Sequence, residues 1–95
     1  MERELYEVTD MYFVATLIAY EADYVGVDRG NKKTQKFFFN NPIGVKEIYI
    51  FDHGRIERVV DPTFEQIKIA YDTIKLLLPP RFFDAIRKVK GIIHT

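Results

Sequence analysis

The stretch from Ala22 to Asn40 constrains this chain most, because it reads as a β-hairpin that the flanking segments must pack around. Two apolar runs, Tyr24-Val25-Gly26-Val27 and Phe37-Phe38-Phe39, are joined by a polar tip from Asp28 to Lys36. Gly30-Asn31 supplies residues that accept positive φ, as tight hairpin turns require. Register decides which side chains share a face, since a slip of one residue sends each to the opposite side. A Gly30-Asn31-Lys32 loop sets Val25 opposite Phe37 and Asp23 opposite Phe39. Val25, Val27, Phe37 and Phe39 then line one face, with Tyr24 and Phe38 on the other. A two-residue Gly30-Asn31 loop would pair Val25 with Lys36, and the longer loop is preferred. In either register both faces carry an aromatic, so both are expected to be covered.

The segments around the hairpin read in order. Residues 1 to 8 form a lead-in with an extra edge strand through Leu5-Tyr6-Glu7-Val8. Thr9 or Asp10 caps a helix running to about Glu21, accepting from its first free amides. That helix is apolar nearly all round: Phe13 and Leu17 form one stripe, Met11, Val14 and Ile18 a second, and Ala15 with Ala19 a third of small residues. Such a helix must be buried on more than one side. Two covers are open to it: the sheet and the other helices of the same chain, or a second copy meeting it along Tyr12, Ala15 and Ala19.

Beyond the hairpin, Asn40 to Gly44 is a loop by composition. Lys46 to Phe51 is rich in β-branched and aromatic residues and reads as a third strand. Asp52-His53-Gly54 turns the chain into a fourth, more exposed strand, Arg55 to Val60, and the two hairpins predict an antiparallel meander. Pro62 suits a first helical turn, and Thr63 with Gln66 three residues on offers a capping box. Phe64, Ile67, Tyr71, Ile74 and Leu78 make one apolar stripe at helical spacing, which predicts a helix continuing until Pro79-Pro80 stop it. A last helix follows, with Phe82, Ile86, Val89 and Ile93 on its core face. The fold class is therefore α+β: one buried N-terminal helix, an antiparallel sheet of three to four strands in two hairpins, and two C-terminal helices, all within one domain spanning 1–95.

Composition narrows function by exclusion. A chain of 95 residues supports one core, and 47% hydrophobic content suits a folded one. Cysteine, serine and tryptophan are all absent, which removes disulfides, zinc–thiolate sites and Ser or Cys nucleophiles. Abundant Ile, Lys and Glu with little Gln and no Cys is the composition of a reducing cytoplasm or of a thermophile. Met1 is followed by acidic residues, so no signal peptide is expected. The longest apolar run, Met11 to Tyr20, is half the roughly 20 residues that a membrane span needs.

The formal net charge of zero hides a polarity. Residues 1 to 28 carry seven acids (Glu2, Glu4, Glu7, Asp10, Glu21, Asp23, Asp28) against the single base Arg3. Arg29, Lys32, Lys33 and Lys36 then follow with no acid among them, and Arg81, Arg87, Lys88 and Lys90 dominate the C-terminal end. Such asymmetry suits a nucleic-acid surface or a head-to-tail fit within an oligomer.

Two stretches resemble a family of small, uncharacterised phage and prokaryotic proteins, a domain of unknown function. The first is Asp10-Met11-Tyr12-Phe13 with Leu17 and Val25-Gly26-Val27-Asp28-Arg29, closed by Phe37-Phe38-Phe39. The second is Leu78-Pro79-Pro80-Arg81-Phe82-Phe83-Asp84-Ala85-Ile86-Arg87 with Lys90, Ile93 and His94. The resemblance implies a helix–hairpin–helix core and a viral source, hence a host cytoplasm; it implies no activity. The segment from Val45 to Asp61 is longer than the family pattern.

No catalytic constellation stands out. His53 beside Asp52 lacks partners at metal-ligand spacing, His94 sits one residue from the end, and Gly26, Gly30 and Gly44 fit no phosphate-binding motif. The expectation is a protein without enzymatic activity, metal or cofactor: a binding or assembly module, homo-oligomeric, with a protein partner. The alternative is nucleic-acid binding. Arg29, Lys32, Lys33 and Lys36 would grip phosphates, Tyr24 and Phe38 would stack bases, and Arg81, Arg87 and Lys88 would extend the patch.

Overall fold

A computed structural model describes residues 4–30 and 35–94. Eight elements follow one another: β1 (Tyr6–Val8), α1 (Met11–Ala19), β2 (Tyr24–Asp28), β3 (Lys36–Phe39), β4 (Glu47–Asp52), β5 (Arg55–Val60), α2 (Phe64–Asp72) and α3 (Phe82–His94). The α+β class, the N-terminal edge strand, both hairpins and both C-terminal helices are all present. The strands do not join into one meander. They divide into an antiparallel sheet ordered β1-β3-β2 and a separate β4-β5 pair.

The first hairpin is in a different register from the expected one. Val27 lies opposite Phe37, Asp28 opposite Lys36 and Tyr24 opposite Phe39, with an irregularity between Tyr24 and Gly26. An extra residue on one strand reverses facing on its two sides. Tyr24 therefore joins Val27, Phe37 and Phe39 on the inner face, while Val25 is exposed. The Tyr24 ring lies 6.4 Å from that of Phe37 and 5.7 Å from that of Phe39. β1 completes this face by setting Tyr6 opposite Phe39 and Val8 opposite Phe37. The outer face carries Phe38 between Glu7 and Lys36, which pair at 3.3 Å. It is a mixed polar face, not a second covered one.

Helix α1 is capped by Asp10, whose carboxylate accepts from the amides of Tyr12 and Phe13. It is buried on nearly every side by its own chain: Phe13, Val14, Ala15, Thr16, Leu17 and Ala19 are all buried. α3 lies alongside α1. Ala15, Ala19 and Ala85 are all buried, and small side chains let helix backbones approach closely. The stripe assigned to a second copy is thus covered within one chain, and of Tyr12, Ala15 and Ala19 only Tyr12 is exposed. On another side, α2 docks through aromatic contacts. Phe64 stacks on Tyr6 at 4.2 Å between ring centres, and Phe13 meets Tyr71 at 4.6 Å. Tyr71 donates to Asp10 at 3.1 Å; burial first, then the Asp10 charge, push its phenol up to about 12, so it stays a donor.

The capping box of α2 forms as the sequence predicts: Gln66 N donates to Thr63 Oγ1 at 3.1 Å and Thr63 N to Gln66 Oε1 at 2.9 Å. The far end departs from expectation. α2 stops at Asp72, seven residues before Pro79, and Ile74 and Leu78 leave the apolar stripe for solvent. Ile74 N donates to Tyr71 O and Lys75 N to Ala70 O, the paired bonds of a Schellman ending. Lys75 to Leu77 then run along the free side of β4: Phe51 N donates to Lys75 O and Leu77 N to Tyr49 O. Two backbone groups that helix propagation would have used, Lys75 O and Leu77 N, are satisfied by β4 instead.

That ending places Ile74 at φ 60 and 92% exposed. A left-handed conformation costs a β-branched residue about 1–2 kcal/mol, and glycine avoids it for an entropic cost of about 0.5–1 kcal/mol. Ile74→Gly is therefore expected to stabilise the fold by up to about 1 kcal/mol, raising Tm by a few degrees. A lower Tm on thermal unfolding would show that Ile74 makes a contact the structure lacks.

Candidate interaction surface

The sequence-predicted basic patch is only partly assembled. Lys32 and Lys33 lie outside the described residues, as does Glu2. Arg29 is exposed at the end of β2, while Lys36 is held by Glu7. Tyr24 faces the core. Burial raises its phenol above the ordinary value, while Arg29 nearby partly offsets the shift. It cannot serve as a flat outer platform beside Phe38. Arg81, just ahead of α3, pairs with Glu21 at 3.0 Å, and on α3 Arg87 lies 4.0 Å from Asp84, leaving Lys88 and Lys90 exposed without an ion pair among the described residues. Phe82, Ile86, Val89 and Ile93 do face inward, with Ala85 added. His53 stands exposed in the β4–β5 turn, 3.6 Å from Asp52. No cluster of three or more potential metal ligands occurs among the described residues.

A different surface emerges on the β4–β5 hairpin. His53 and Gly54 both have positive φ, at 51° and 75°, which is the two-residue turn that matches strand twist. The register it fixes pairs Glu47 with Val60, Tyr49 with Arg58 and Phe51 with Ile56. Those six side chains share the outer face, while Ile48, Ile50 and Val59 turn inward. Phe51 is 51% exposed, Ile56 66% and Val60 57%. Arg58 and Glu47 form an ion pair in the middle of this face, and Tyr49 donates to Glu47 at 3.3 Å. An apolar row on a β-hairpin, interrupted by a single ion pair, resembles the centre of a contact surface more than a solvated strand.

A groove of about 560 Å³ borders this face, between Tyr49 and Ile56 on one side and Leu77, Leu78, Pro79 and Pro80 on the other. Its floor is the C-terminal end of α1, at Ala19 and Tyr20. The Tyr20 hydroxyl fixes the geometry: it donates to Leu77 O and accepts from Tyr49 N at 3.4 Å. Burial raises this phenol above the ordinary tyrosine value. Sequence reasoning read Arg55–Val60 as exposed but not as a surface. The available signal was the lack of alternation in Ile48-Tyr49-Ile50-Phe51, where a strand apolar on both sides calls for cover on both.

Comparison of the chain with protein-family models, with curated proteins and with solved structures gave no match. No helix among the described residues is long and apolar enough to cross a membrane.

Proposed function

We propose that this protein is a non-catalytic assembly module, an accessory protein of the cytoplasm that associates with itself through the β4–β5 hairpin. The observation that carries the reading is the exposed row Phe51, Ile56 and Val60 on the outer face of that hairpin. Water contact with such a row is costly at roughly 25 cal/mol per Å² of apolar surface, and apolar side chains of a second copy set against it remove part of that contact. Sedimentation velocity from about 1 to 500 μM tests the proposal. The expected result is a species of twice the 11.2 kDa of one chain, returning to one chain in the Phe51→Ser/Ile56→Ser variant with unchanged circular dichroism. A single 11.2 kDa species at all concentrations overturns it.

The nucleic-acid reading draws its support from exposed Arg29, Lys88 and Lys90, together with Lys32 and Lys33. Fluorescence anisotropy with labelled DNA and RNA at about 50 mM salt decides it, because the phosphate term is strong there. Binding that weakens steeply with salt and is lost in Lys32→Glu/Lys33→Glu supports it; no binding at tens of micromolar removes it.

A further inference from the structure

We propose that self-association runs edge to edge through β5, antiparallel, with Ile56 facing Ile56 of the partner subunit across a two-fold axis. This rests on the assembly reading and specifies its geometry.

The two-residue turn fixes the hydrogen-bonding phase of the hairpin. Asp52 and Arg55 close it, so Arg55, Glu57 and Val59 direct their backbone groups to β4, and Ile56, Arg58 and Val60 direct theirs outward. The bonds around the hairpin agree with this phase. Asp61 N reaches Lys46 O, while Tyr49 and Phe51 on β4 bond away from β5, to Leu77 and Lys75. No hydrogen bond to the outward groups of β5 is made among the described residues. A strand left in that state is a template for another strand.

The side chains choose the occupant and the register. In a two-fold antiparallel pair, outward residues must face outward residues, so the axis can pass only through particular positions. Centred on Glu57, the pairing sets Glu57 against itself; centred on Arg58, it sets Arg58 against itself. Centred on Val59, it sets Glu57 against Asp61. Centred on Ile56, it sets Arg55 opposite Glu57 of the partner subunit, and Glu57 opposite Arg55 of the partner subunit. Like charges directly opposite are destabilising in a sheet and opposite charges are favourable. Within one chain Arg55 and Glu57 have no ion pair among the described residues, although both are exposed. The same register aligns Phe51 and Ile56 with their counterparts in one apolar row across four strands.

Charge reversal tests this register separately from self-association itself. Arg55→Glu gives a chain with two acids at the edge, and Glu57→Arg one with two bases. Each is expected to weaken the dimer by on the order of tenfold to a hundredfold. An equimolar mixture of the two variants should recover a dimer, because acids then meet bases, and Arg55→Glu/Glu57→Arg should recover it alone. The Ile56 amide should exchange more slowly in the dimer than in the dilute single chain. A dimer indifferent to all these charges but lost in Phe51→Ser/Ile56→Ser overturns edge pairing in favour of face-to-face association, and leaves the assembly reading standing. A wild-type chain that never exceeds the mass of one copy overturns both, and leaves the edge to an extended peptide of another protein.

Discussion

Replacing Phe39 with alanine is expected to cost about 3–5 kcal/mol, the largest effect of any single truncation in this fold. Phe39 is fully buried at the centre of the inner sheet face, with Tyr6 opposite it on β1 and Tyr24 opposite it on β2. No exposed neighbour can move in to fill a cavity between three strands, so relaxation is limited. At roughly 0.05–0.15 kcal/mol per residue, a domain of this length holds about 5–14 kcal/mol in total, and the loss is a large share of it. Urea denaturation should show the midpoint falling by more than about 1 M. Phe38→Ala, one residue away on the outer face, should cost only about 1 kcal/mol because that ring is partly solvated already. Equal losses at the two positions would contradict the inward facing of Phe39 and the outward facing of Phe38 on β3.

The second large effect concerns the small residues of α1. Ala15→Arg should cost about 3–5 kcal/mol, since Ala15 is 0% exposed and an arginine there would be buried without a partner. Ala15→Leu should cost about 1–3 kcal/mol through overpacking alone. Both substitutions act on the unfolding of a single chain, so the losses should not depend on protein concentration. A variant that kept its Tm and only changed mass in solution would return this stripe to an interface between copies.

Features encoded by a few adjacent residues were legible in the sequence. Asp10 ahead of α1, Thr63 with Gln66 at the start of α2 and His53-Gly54 in the second turn are each local solutions to a local backbone requirement, and each is used. Two other features depend on distant partners and left no local mark. The stripe Phe64, Ile67, Tyr71, Ile74, Leu78 fits a longer helix, yet the chain leaves it after Asp72 because β4 offers Lys75 and Leu77 partners for their backbone groups. The bulge near Val25 likewise cannot be read from Tyr24-Val25-Gly26-Val27, since alternation alone allows either facing. One shift there turned Tyr24 from an outer platform to an inner contact and so altered the composition of the candidate site. The small-residue stripe carried the reverse ambiguity: Ala15 and Ala19 suit close helix packing, and only the position of α3 shows that the partner helix comes from the same chain.

The excursion of Lys75 to Leu77 along β4 also limits what assembly can become. A two-stranded hairpin has two edges, and a chain with two usable edges can add copies indefinitely into a fibre. Here the β4 side is already occupied by the chain's own backbone, through Leu77 N and Lys75 O. Only β5 is left to recruit a neighbour, and a two-fold pairing consumes both copies' remaining edges at once. Growth through this sheet by the proposed pairing would therefore terminate at two.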